Sequence, residues 1–178
     1  MWLFLAALAV LFAAALLVVI VVRLQSDGWP EELPALPTTL WISTGILLAS
    51  AVSMQWALVA IRSGRHRSCV AALLTTLLLA IVFLVLQTMA WFEWTSSLDQ
   101  AGVLIATNQL AQSTFLVLTG LHAAHIIGGL IPLGLICWYA IIRAYTSQDH
   151  VAIRDTAMYW HFLDVVWILL MIFMFIMI

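Results

Sequence analysis

A chain of 178 residues that is 66% hydrophobic and 8% charged, with mean hydropathy +1.17, is not a water-soluble globular domain. Such domains run near about 50% apolar and about 25% charged. All six basic residues are arginines and the formal net charge is −2; with no basic surface to neutralise a row of phosphates, nucleic acid is excluded as a partner.

A helix needs about 20 apolar residues to cross a ~30 Å hydrocarbon layer. Five such stretches predict helices over about 2–23, 38–62, 68–92, 113–143 and 156–178, an all-α integral membrane bundle forming a single transmembrane domain. The opening stretch lacks the basic flank and small-residue cleavage site of a signal peptide, so it reads as a membrane helix. In segment 24–37, Pro30, Pro34 and Pro37 predict an extended link, because proline cannot continue a helix. Segment 93–112 is the most polar connection, with its turn expected around Ser96–Gln100. Cys69 and Cys137 lie far apart in or beside apolar segments and read as buried thiols, without metal-ligand spacing.

The arginines predict a direction. Arg62, Arg65 and Arg67 fall between the second and third helices, and Arg143 and Arg154 between the fourth and fifth. The other connections hold Asp27, Glu31, Glu32, Glu93 and Asp99, with only Arg23 at a boundary. Arginine-rich loops stay cytoplasmic, which puts the N-terminus inside and the C-terminus outside. Small residues recur every fourth position at Gly45, Ala49, Ser53 and Ala57, and again at Gly120, Ala124 and Gly128. Both stripes are expected to face neighbouring helices at close approach. No internal repeat supports an inverted-repeat transporter.

Ionisable groups inside a membrane are costly and need a partner or a task. The fourth helix carries His122 and His125, and the fifth carries His161 and Asp164, three apart on one face. Gln87 adds an amide in the third helix and Glu93 marks its far end. Three readings are open: a metal site of His122, His125, His161 and Asp164; a proton relay through histidine and aspartate; and a hydrogen-bond network that fixes the bundle. Depth speaks against the first, because helices running in opposite directions set the two pairs one or two turns apart.

The same residues resemble subunit III of the haem–copper cytochrome c oxidases. Phe115–Gly128, with Thr119-Gly120, His122, His125 and Gly128, is similar to that family's Thr-Gly-x-His-x-x-His-x-x-x-Gly helix. Tyr159–Trp167 resembles its Tyr-Trp-His-Phe-Val-Asp-Val-Val-Trp element with a single conservative difference, and Trp29-Pro30, the run Leu40–Trp56 and Leu84–Gln87 extend the likeness along the chain. The resemblance implies the family's short five-helix form. It also implies a subunit with no haem or copper of its own, beside oxidase subunits I and II that hold the haems and copper, with phospholipid in a cleft between its helices. Lipid contacts are then expected at Arg23, Arg62, Arg65, Arg67, Trp56 and Trp160. Two family acids are replaced: Leu8 stands where the first helix carries a glutamate, and Ala90 where an acid follows Gln87. The polar centre should therefore lean on Asp164. A subunit of a quinol oxidase or nitric oxide reductase, and a small proton-coupled transporter, are the rival readings. The lack of lysine and the short form point to a bacterial cytoplasmic membrane rather than a mitochondrial inner membrane.

Overall fold

The computed structural model describes residues 1–25, 37–100 and 105–177. These residues form five helices: α1 (Trp2–Gln25), α2 (Thr38–Arg62), α3 (His66–Gln100), α4 (Ile105–Ile141) and α5 (Val151–Met177). All five are long and apolar enough to cross a membrane. In lipid the backbone must satisfy its own hydrogen bonds, which leaves the helix as the spanning form for such segments. Most of the proline-bearing link lies outside the described residues.

The turn expected around Ser96–Gln100 is helical instead. The hydroxyls of Ser96 and Ser97 donate to the Glu93 carbonyl at 2.9 and 2.8 Å, and Thr95 donates to the Trp91 carbonyl at 3.0 Å. Hydroxyls that bond one turn back let a polar stretch continue a helix rather than end it. The residues between Gln100, the end of α3, and Ile105, the start of α4, lie outside the described residues.

Both arginine-bearing connections close their helices in the same way. At the end of α2, Gly64 donates to the Ile61 carbonyl and Arg65 to that of Ala60, with Gly64 at φ 69°. At the end of α4, Arg143 donates to Ala140 and Ala144 to Tyr139, but here the left-handed position holds an arginine at φ 59°. This is the double-bonded C-cap that glycine suits best. A residue with a Cβ loses about 1 kcal/mol in that conformation, so Arg143→Gly should raise the thermal unfolding midpoint in detergent. A lowered midpoint would contradict the assignment.

Packing forms a ring: α2 against α3, α3 against α4, α4 against α5, and α5 back against α2. Within the described residues α1 touches only α4 and α5, burying Leu5, Leu8, Phe12 and Val19. The ring's centre holds Phe83, Leu133, Trp160 and Trp167, all fully buried. The small-residue stripes are a correction in part: Ser53 and Ala57 are buried and Ser53 meets α3 as expected, but the other members are not buried. Gly45 and Ala49 are exposed, as are Ala124 and Gly128, and no atom lies within 4 Å of a Cβ built on Gly45, Gly120 or Gly128. The close approach is at Gly129, where a Cβ would come within 2.7 Å of the Tyr159 ring. Gly129→Ala should therefore push α5 from α4 and cost about 1–3 kcal/mol, while Gly128→Ala in the same unfolding assay should be neutral.

Candidate functional site

Three indoles tie the ring together. Trp160 Nε1 donates to Ser50 Oγ at 3.0 Å and Trp167 Nε1 to Thr44 Oγ1 at 3.0 Å, which joins α5 to α2 in antiparallel register. Trp91 Nε1 donates to Thr119 Oγ1 at 2.9 Å and joins α3 to α4. At the far end of the same pair the Trp94 and Phe115 rings lie 5.2 Å apart. Ser53 Oγ donates across to the Ala72 carbonyl at 2.9 Å, and Thr39 Oγ1 lies 2.7 and 2.9 Å from the two Glu93 carboxylate oxygens. Glu93, at the end of the predicted third span, thus anchors α2 to α3. A buried hydroxyl or indole gains most in lipid by finding a partner on a neighbouring helix, and each of these does.

Inside the ring the sequence-predicted polar residues are placed unequally. His122 is fully buried, its ring stacked on Trp167 at 4.9 Å, edge-on to Phe83 at 6.2 Å and 6.3 Å from Phe12. Neither ring nitrogen has a hydrogen-bond partner among the described residues, and the same holds for the Gln87 carboxamide, itself buried. Gln87 follows Phe83 by one turn and precedes Trp91 by one turn. The Phe83–His122 and Trp91–Thr119 contacts therefore bracket it against the His122 turn of α4. Asp164 is buried, and its carboxylate lies 3.6 Å from His161 Nδ1, beyond hydrogen-bond reach. His161 itself turns outward, with Nε2 3.3 Å from Gln55 Oε1.

His125 occupies a different setting. Its Nδ1 sits 2.7 Å from the Leu121 carbonyl, and Tyr159 Oη donates to the His125 carbonyl at 2.8 Å. The ring borders a cavity of about 690 Å³ between α1, α4 and α5, also lined by Leu8, Gly128, Tyr139, Tyr145 and Asp155. Leu8, at the family acid's position, thus presents an aliphatic wall to the same space as His125. Ala90, at the second acid's position, is fully packed.

The four-residue metal arrangement does not assemble: among the described residues no three His, Cys, Asp or Glu side chains converge. His161 meets Asp164, while His122 is held by Trp167 one turn further along α5. Trp160 corrects the expectation of a lipid contact, being 1% exposed with its indole bonded to Ser50. Trp56 is exposed, as are Arg62, Arg65 and Arg67 at the α2–α3 turn. Arg23 lies in the last turn of α1. The tryptophans at positions 160 and 167, seven apart on one face of α5, carried a readable signal; their hydroxyl partners on α2 did not.

Five apolar helices, joined by indole–hydroxyl bonds around a buried polar centre, define a polytopic helical membrane protein. Residues 2–177 match the family model described as cytochrome c oxidase subunit III. The chain belongs to that family. It is 35% identical over 143 residues to the cytochrome c oxidase subunit 3 of Myxine glutinosa, covering 80% of this chain and 49% of that one. To the subunit of the same name from Artemia franciscana it is 37% identical over 141 residues, covering 79% and 51%. For Didelphis virginiana the figures are 34% over 139 residues, 78% and 44%. The chain spans about half the length of the curated relatives it matches.

Proposed function

We propose that this chain serves as the non-catalytic subunit III of a haem–copper terminal oxidase, packed beside subunits I and II, which hold the haems and copper and pass electrons from cytochrome c to oxygen. Its task is to stabilise the proton-pumping catalytic subunit during turnover and to hold phospholipid. The observation that carries this reading is family membership over residues 2–177. The polar interior supports it: Trp91, Trp160, Trp167 and Ser53 make helix-to-helix ties, a use of buried polarity that fixes structure. Exposed Arg62, Arg65 and Arg67 suit phosphate headgroups at a cytoplasmic surface, with the N-terminus on that side and a bacterial cytoplasmic membrane as the location.

The test is affinity purification of the tagged chain in mild detergent from its native membrane. A haem-bearing large subunit should accompany it, together with a copper-bearing cupredoxin subunit. A haem-bearing partner without the copper subunit would move the donor from cytochrome c to quinol. Recovery of the chain free of any haem protein would end the oxidase reading. Deleting the chain should leave the initial rate of oxygen reduction near normal and shorten the enzyme's lifetime in turnover.

A further inference from the structure

We infer that the flank shared by α2 and α5 is the docking face for a transmembrane helix of the haem-bearing subunit, which meets His161 and Gln55 with a hydrogen-bonding side chain. This rests on the oxidase reading above. The bonds Trp160–Ser50 and Trp167–Thr44 fix how α5 lies on α2. His161, next after Trp160, is rotated about 100° around the helix and leaves the interface at its rim, where it meets Gln55.

Both groups lie deep in their spans. His161 is ten residues from Val151, the start of α5, and Gln55 seven from Arg62, the end of α2; at 1.5 Å per residue these are about 15 Å and 10 Å. The His161 side chain is 39% exposed and Gln55 is exposed beside it. Their mutual contact, at 3.3 Å, uses one acceptor and leaves the Gln55 NH2 without an acceptor among the described residues. Other exposed hydroxyls within the spans behave differently: Thr75 and Thr88 each donate to a carbonyl of their own helix. An amide and an imidazole facing hydrocarbon lose the hydrogen bonds water would give them, at a cost of several kcal/mol in an apolar medium. Lipid tails offer no replacement.

The neighbouring surface suits a helix as occupant. Leu48 on α2, two turns from Gln55, and Val165, Ile168 and Ile172 on α5, one to three turns from His161, are exposed aliphatic side chains that offer van der Waals contact along the faces of the polar pair. Asp164 lies just behind, 3.6 Å from His161, so a partner side chain that accepts from the Gln55 NH2 would extend a polar thread from Asp164 through His161 and Gln55 to the interface.

A photo-reactive amino acid at Leu48 or Val165 in the assembled complex tests this, with Ile127 on α4 and Val10 on α1, both exposed, as controls. Irradiation should link the first two positions to the haem-bearing subunit at several-fold higher yield than the controls. Linkage from Ile127 or Val10 alone, adducts only to lipid, or links only to a second copy of this chain would overturn the assignment. In parallel, Gln55→Leu with His161→Leu should lower the haem recovered per chain several-fold, whereas His161→Gln with Gln55 kept should leave it near that of the unaltered chain. Absence of any haem-bearing subunit with the unaltered chain would instead sink the oxidase reading itself.

Discussion

Trp167→Ala is expected to cost the bundle about 3–5 kcal/mol, the range for truncating a fully buried aromatic side chain. Trp167 has no exposed surface and contacts three other helices: its Nε1 donates to Thr44 on α2, its ring meets Phe83 on α3 edge-on at 5.2 Å, and it stacks on His122 of α4. Truncation removes all three contacts and leaves the Thr44 hydroxyl only its bond to the Leu40 carbonyl. Thr44→Val separates the contributions. It keeps the ring contacts, deletes the interhelical hydrogen bond together with the Thr44 bond to the Leu40 carbonyl, and should cost about 1–3 kcal/mol. Denaturant titration of the purified chain in mixed micelles measures both. A Trp167→Ala loss no greater than that of Thr44→Val would mean that the ring is not the keystone its contacts imply.

Asp164→Leu is expected to split two properties that usually move together. The Asp164 carboxylate has no hydrogen-bond partner among the described residues, so replacing it with an aliphatic side chain removes a buried polar group without stranding another. Buried charges exchanged for apolar residues of similar volume are often neutral or stabilising, and the unfolding midpoint of the chain should hold or rise. In the oxidase complex proposed above the same change removes the group behind His161. Inactivation during turnover should then become several-fold faster while the initial rate of oxygen reduction stays near normal. Asp164→Asn keeps a polar group there and should inactivate more slowly than Asp164→Leu. Loss of haem from the complex, or an initial rate that falls with the lifetime, would contradict this division.

The five helices were legible because spanning length and hydropathy are local properties, and the nine-residue run Tyr159–Trp167 was legible as a family element. What escaped depended on distance in sequence. The Trp160–Ser50 and Trp167–Thr44 bonds join positions over a hundred residues apart, and no spacing rule reaches that far. Reading Trp160 as a lipid contact failed for the same reason: its hydroxyl partner is visible only once α2 lies beside α5. The small-residue stripes were correctly spaced, yet only Ser53 and Ala57 among them are buried, because periodicity shows that residues share a face and not what that face meets. The serines near the end of α3 looked like a turn by composition, but their hydroxyls bond the preceding helical carbonyls. Within the polar centre, the pairing of His161 with Asp164 follows from helical spacing, whereas the aromatic enclosure of His122 required three other helices to be in place.

The attachment of α1 sets an order of events during synthesis. Of the five described helices this one leaves the ribosome first, yet among the described residues its partners lie only on α4 and α5. From the time Gln25 has emerged until α4, beginning at Ile105, and then α5 have entered the bilayer, α1 lacks both of the described helices it packs against. Phe12 has no His125 to face, and Phe4 no Tyr159. The insertion machinery must therefore hold α1, or release it into lipid, without α4 and α5 while α2 and α3 pair behind it. Nascent chains arrested before α5 should remain exchangeable at α1, because α5 is one of the two helices that secure it.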